Sequence, residues 1–237
     1  MLSNSQIDKI GKKLRNDNVD AECVRALELF RASFVDTYTY VEDMLVNKLR
    51  LKITGRPSKS TVAIVEKLKR ETIRLSQIQD VAGCRVLVSD IALQNRVIEL
   101  ASLVFGDADI DDKRDKPTNG YRAVHLIVKR RGRPVEIQVR TRFQHAWAEM
   151  SEKISDAFGQ SIKYGSGAEW AVKFLSDLSK ATGRLEMAEH EKMVISELKA
   201  QQGSSRALNE RNKEQNRFER EATREIRSLF AGLNKQF

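Results

Sequence analysis

The chain has 237 residues, of which 41% are hydrophobic and 32% charged, enough for one good core or for a core with a helical appendage. Plentiful, periodic apolar residues exclude a disordered chain, and no run approaches the ~20 apolar residues of a membrane span. The net charge of +9 is concentrated in residues 45–74 (+7) and 111–142 (+6), so the rest is mildly acidic; two basic segments in such a background suit a phosphate-rich ligand such as a nucleotide, polyphosphate or RNA.

The first 17 residues, MLSNSQIDKIGKKLRND, hold no signal-peptide apolar core, and the two cysteines, Cys23 and Cys84, lie far apart without metal-like spacing. Reduced thiols in a cytoplasmic protein are the simplest expectation. Helical spacing of Ala21, Val24, Leu27 and Phe30, and of Tyr40, Met44 and Leu45, predicts helix through 3–49. RLKITGR (50–56) alternates and reads as a strand ending at Gly55, with a turn at Pro57. Residues 60–75 read as a helix capped by Ser60.

VAGCRVLVS (81–89) reads as a second strand, with Cys84, Val86 and Val88 on one face and Arg85 and Leu87 on the other. A helix follows over 90–105. DADIDDKRDKPTNG (107–120) is polar and rich in turn formers, so it is expected to be mostly loop. Strands over 121–129 and 134–140 are joined by RRGRP as a hairpin, with Pro134 at a strand entry and not its centre. Helix resumes near 141, GSG (165–167) breaks it, and from Ala168 onward only helix is expected, interrupted at GSS (203–205). Stripes at three-four spacing, Phe174, Leu178, Ala181, Leu185, Ala188 and then Phe218, Ala222, Ile226, Leu229, Leu233, predict a helical hairpin or coiled-coil-like tail.

The expected organisation is an N-terminal helical segment (1–49), an α/β core (50–167) and a helical extension (168–237). Sorting strand residues by parity puts Lys52, Thr54 and Arg56 on one face, likewise Tyr121, Ala123 and His125, and likewise Glu136, Gln138 and Arg140. With the apolar residues turned toward helices, the opposite face becomes a basin of cations, carboxylates, a Tyr and a His, overhung by Asp80. Such a set can bind polyphosphate, hold Mg²⁺ and stack on a base. Each residue alone has a plainer reading as wet surface or packing. No Walker A, GxGxxG, GxSxG or HExxH motif is present, and three histidines cannot build a multi-His phosphohydrolase centre.

The ordered blocks GRPSKSTVAIVEKLKR (55–70), DVAGCR (80–85), NGYRAVH (119–125) and EIQVRT (136–141), followed by HAWAE (145–149), closely resemble the RelA/SpoT alarmone synthetase domain. The resemblance implies an α+β fold: a nucleotidyltransferase-like mixed sheet of about five strands flanked by helices. It implies transfer of the β,γ-pyrophosphate of ATP to the ribose 3′-OH of GDP or GTP, with Mg²⁺ as cofactor and no hydrolase activity. Carried over by motif, Asp80 and Glu136 are the catalytic, metal-binding carboxylates. Arg56 and Arg85 sandwich adenine, and Lys59 and Lys67 hold ATP phosphates. Tyr121, in the segment that begins at Asn119, stacks on the acceptor base. His125 and Gln138 line the acceptor pocket, Lys113, Arg114 and Lys116 reach acceptor phosphates, and Arg140 steadies the charge on Glu136. The sequence departs from the family pattern at Ser58, Ala63, YRAVH and HAWAEMSEK. The alternative acceptors are the 3′-CCA end of tRNA, served by the basic runs at 67–70 and 129–133, and adenosine nucleotides. The terminal helices offer a face for a second copy, or for an antitoxin or other regulator.

Overall fold

The structure is a computed structural model and describes residues 2–233. Helix α1 (Asn4–Arg15) starts at a capping box between Ser3 and Gln6 and buries Ile7, Ile10 and Leu14. Helix α2 (Ala21–Ala32) is capped by Asp20, whose carboxylate accepts from the Cys23 amide. Helix α3 (Val35–Asp43) runs on into a π-helical turn, Met44–Lys48, and Arg50 at φ 57° ends it. The expected N-terminal helical segment is therefore built of three helices.

Strand β1 (Ile53–Arg56) is shorter than the alternation suggested, because Leu51 is still bonded back to Leu45. Helix α4 (Thr61–Arg70) is capped by Ser60 as expected and buries Ile64 and Leu68. Strand β2 (Ala82–Val88) and helix α5 (Ile91–Phe105) follow the sequence reading. The polar segment after α5 holds a fifth strand, β3 (Asp109–Asp112), where loop was expected. All four of its residues are exposed, so no buried face marks it in the sequence.

Strands β4 (Val124–Arg130) and β5 (Arg133–Thr141) form a hairpin through Arg131 and Gly132, both at positive φ (50° and 74°), the signature of a tight two-residue turn. The sheet order is β1-β2-β5-β4-β3, so β5 is the central strand and Pro134 sits at its entry. Helices α6 (Arg142–Phe158), α7 (Glu169–Gln202) and α8 (Arg206–Leu233) follow; Gly165, Gly167 and Gly203, all at positive φ, separate them where the glycine motifs foretold.

The residues gather into two compact units. The first takes the chain up to Val86 with Ile98–Asp111 and His125–Val139; the second takes Leu87–Val97, Asp112–Val124 and the chain from Arg140 onward. The core of the first contains Phe30, Phe34, Leu45, Ile64, Leu68, Val86, Leu126 and Ile137. The core of the second is built on Trp147, Ala171, Phe174, Leu175 and Leu178, with Ile226 and Leu229 of α8 packed against it. Cys23 and Cys84 are free and buried. Among the described residues no helix is long and apolar enough to cross a membrane.

Parity is as expected on β2, and on β5 as far as Val139; Arg140, expected on the polar face, is buried, as is Thr141 beside it. Cys84, Val86 and Val88 are buried while Arg85 is half-buried; Val135, Ile137 and Val139 are fully buried while Glu136 and Gln138 keep partial exposure. On the helix side of β1, Gly55 leaves room for Tyr38 of α3: a Cβ there would lie 1.6 Å from the buried Tyr38 hydroxyl. Gly55→Ala should therefore destabilise the fold by about 1–3 kcal/mol through overpacking. A lower midpoint in urea unfolding, with an unchanged slope, is the expected observation.

Candidate active site

In the first unit, the register of β1 on β2 pairs Thr54 with Arg85 and Arg56 with Gly83. Residues directly opposite in an antiparallel pair share a face, so Arg56 and Arg85 lie on one face as diagonal neighbours. Gly83 joins this face to β5, since a Cβ on it would lie 3.6 Å from Glu136 Cβ and 2.9 Å from the Glu136 carbonyl oxygen. Any larger residue at 83 would push on the central strand beneath the carboxylate.

Asp80 precedes β2. The Lys59 amide donates to the Val81 carbonyl at 2.6 Å, which draws the 57–60 segment alongside. Lys59 Nζ then donates to Asp80 Oδ2 at 2.6 Å, and Lys67 Nζ, from α4, to Oδ1 at 2.9 Å. Arg56 reaches the Asp80 carbonyl at 3.2 Å. Burial by itself would raise the Asp80 pKa, but Lys67 and Lys59 outweigh it and hold it at about 2.

Glu136, on the central strand, has His125 Nδ1 2.9 Å from Oε1 and accepts from Gln138 Nε2 at 2.6 Å on Oε2. Burial pushes its carboxyl up; His125 and then Gln138 bring it below the ordinary glutamate value, while the charge of Asp80 opposes them. His125 and Gln138 therefore hold the charge on Glu136, a task the sequence reading gave to Arg140.

In the second unit, Tyr121 lies before β4 and not on it. Its amide donates to the Thr118 carbonyl across a turn made by Asn119 (φ 52°) and Gly120 (φ 85°), so strand parity does not apply to it. The buried Arg140 donates to the Tyr121 hydroxyl at 2.8 Å, and the Tyr121 ring meets Trp147 edge-on at 6.4 Å. Arg114 is held by Asp112 at 2.6 Å and by Asn95 at 2.6 Å. The Lys113 amide donates to the Ala123 carbonyl, and Lys116 and Asn119 are exposed.

Two residues given no role in the sequence reading belong to this cluster. Arg122 donates to Glu186 Oε2 at 2.8 Å. The other oxygen of Glu186 takes the Thr141 hydroxyl and Gln144 Nε2. Glu186 is almost fully buried, and burial raises its pKa despite these partners. The only sequence signal was an acid adjoining the apolar stripe of α7, at Leu185.

A five-stranded α+β fold carrying paired carboxylates and clustered cations defines a class before it defines a family. The structure superimposes on the small alarmone synthetase 1 of Bacillus subtilis bound to its product pppGpp, with a TM-score of 0.53 and 25% identity, covering 74% of this chain and 99% of that one. The fold is that of a small alarmone synthetase.

Residues 55–156 match the family model described as the region found in RelA / SpoT proteins. It is 33% identical over 178 residues to an uncharacterized protein of Mycobacterium tuberculosis, covering 70% of this chain and 64% of the relative's length. It is 22% identical over 179 residues to a GTP pyrophosphokinase of Photobacterium angustum, covering 71% of this chain and 23% of that one. The chain thus spans somewhat less than two thirds of the mycobacterial relative it matches.

The depressed pKa of Asp80 is also a statement about stability. Its contribution is fully present above the ordinary value near 3.8 and is lost as pH falls toward about 2. The shift corresponds to roughly 2 kcal/mol. Asp80→Asn should therefore be less stable than wild type by about that amount at pH 6, with the gap closing between pH 4 and 2 in urea titrations.

Proposed function

We propose that the chain is an ATP-dependent pyrophosphotransferase that makes guanosine alarmones. The acceptor 3′-oxygen of GDP or GTP attacks the β-phosphorus of ATP, the bond between the β-phosphorus and the α,β-bridging oxygen breaks, and AMP leaves. The hydroxyl proton passes to Glu136. The observation that carries this reading is Asp80, a poorly exposed carboxylate held ionised by two lysines beside Arg56. Lys59 and Lys67 are then the groups that exchange Asp80 for ATP phosphates, and Arg56 and Arg85, on one face, take the adenine. Tyr121, with Asn119 in its turn, takes the acceptor base. His125, Gln138, Arg140, Lys113, Arg114 and Lys116 serve the acceptor.

Asp80 and Glu136 would hold Mg²⁺. Both are ionised oxygen donors of the hard type this ion prefers, and Glu136 senses the charge of Asp80. When bound, Mg²⁺ neutralises charge on the transferring phosphates. The residues named above position the two substrates, and Glu136 accepts the proton.

A guanosine acceptor is supported by the Bacillus relative, which was solved with pppGpp. The tRNA alternative draws no comparable support, and several cations of its basic runs already have partners in the fold. Lys129 pairs with Asp109, Arg131 with Asp36 and Lys69 with Asp17; Arg130 stacks on Tyr40, and Arg133 is buried against Phe30 and Phe34.

The test is transfer from γ-labelled ATP with Mg²⁺ to GDP, GTP, ADP or deacylated tRNA. Label on a free guanosine nucleotide is expected. Label on tRNA or ADP would replace the acceptor, and no transfer to any of them would overturn the reading. Glu136→Gln and Asp80→Asn should each lose roughly a hundredfold or more in kcat while remaining folded.

A further inference from the structure

Four consecutive residues of the second unit, Asn119 to Arg122, are each fitted against side chains or glycines that follow β5. A Cβ on Gly165 would lie 2.5 Å from Asn119 Oδ1. A Cβ on Gly120 would lie 2.8 Å from the Trp147 ring, 3.2 Å from Ser179 Cβ and 3.3 Å from the Leu175 carbonyl oxygen. Trp147 is itself fixed by its indole donating to that carbonyl at 2.8 Å. Tyr121 meets the Trp147 ring and bonds Arg140. Arg122 lies over Gly183, where a Cβ would be 2.4 Å from its guanidinium, and pairs with Glu186 one turn further along α7.

Glu186 is the junction. One oxygen takes Arg122, the neighbour of Tyr121; the other takes the hydroxyl of Thr141, the neighbour of Arg140. Thr141 also caps α6, and Gln144 closes that box while donating to Glu186. A single buried carboxylate therefore sets the two backbone positions adjoining the Arg140–Tyr121 hydrogen bond. A buried Arg–Glu pair adds little net stability over well-packed apolar residues, and glycine in mid-helix lowers it. What this arrangement supplies is direction, since the planar guanidinium fits two fixed partners in few ways.

We propose that α7 is the back wall of the acceptor site, with Glu186 and Gly183 as positioning residues that set Tyr121 and Arg140 through Arg122 and Thr141. The proposal rests on the reading of Tyr121 and Arg140 as acceptor-binding. It gives the helical extension a part in substrate selection, although α7 lies wholly outside the region matched at 55–156.

The test uses the full chain and the acceptor that the wild type uses best. Glu186→Gln and Gly183→Ala are compared with wild type in steady-state kinetics, each substrate varied in turn, with circular dichroism to check folding. The acceptor KM is expected to rise about tenfold in either variant, with the ATP KM within about twofold. Pairing Arg122→Gln with Glu186→Gln should recover part of the loss by restoring a neutral hydrogen-bonded pair. Amide exchange across 113–124 should quicken in both single variants, while 135–139 stays protected; this readout needs no activity. Equal effects on both KM values, unchanged exchange across 113–124, or failure of both variants to fold would overturn the proposal. A wild type inactive on every acceptor would sink the functional reading alone, and the exchange measurement would still decide whether α7 holds the loop.

Discussion

A carboxylate withdrawn from water must be met by a cation or by several hydrogen-bond donors, and three such carboxylates organise this protein. Asp80 is met by Lys59 and Lys67, Glu136 by His125 and Gln138, and Glu186 by Arg122, Thr141 and Gln144. Each pairing ties together elements distant in sequence. Asp80 gathers the segment before α4 and α4 itself; Glu136 joins β5 to β4; Glu186 joins α7 to the loop before β4 and to the start of α6.

The three differ in the balance between burial and partners. Two ammonium groups outweigh burial at Asp80 and keep it ionised far into acid. At Glu136 the balance is closer, since Asp80 works against the neighbours that hold the charge. At Glu186 burial prevails and the carboxyl titrates higher than usual. The first two suit groups that must meet metal and phosphate in ionised form. The third suits a group that holds other residues in place.

Much of this was legible beforehand. Period-two alternation assigned the buried and polar faces correctly on β2 and on β5 as far as Val139, because each has one apolar side; Arg140 is buried beyond it. Ser60 as a cap and the glycine breaks at 165–167 and 203 follow from local chemistry alone. Strand β3 was not legible, since it buries no face, and neither was the position of Tyr121, since a turn at Asn119 and Gly120 removes it from the strand. The partners of the basic runs were not legible either. Composition counts charges without their partners, and most of these cations are already paired or stacked.

The sequence by itself determined most of the elements, most of the polar strand face and the resemblance to RelA/SpoT proteins, because alternation, caps and motif spacing act over a few residues or survive as ordered blocks. Tertiary structure decided which cation answers each carboxylate. Asp80 lies 13 and 21 residues from its lysines, and Glu186 lies 64 residues from Arg122. Over such separations no local pattern links the partners. Only the folded chain, with α4 brought to the start of β2 and α7 to the loop before β4, sets opposite charges together where burial weakens screening by water.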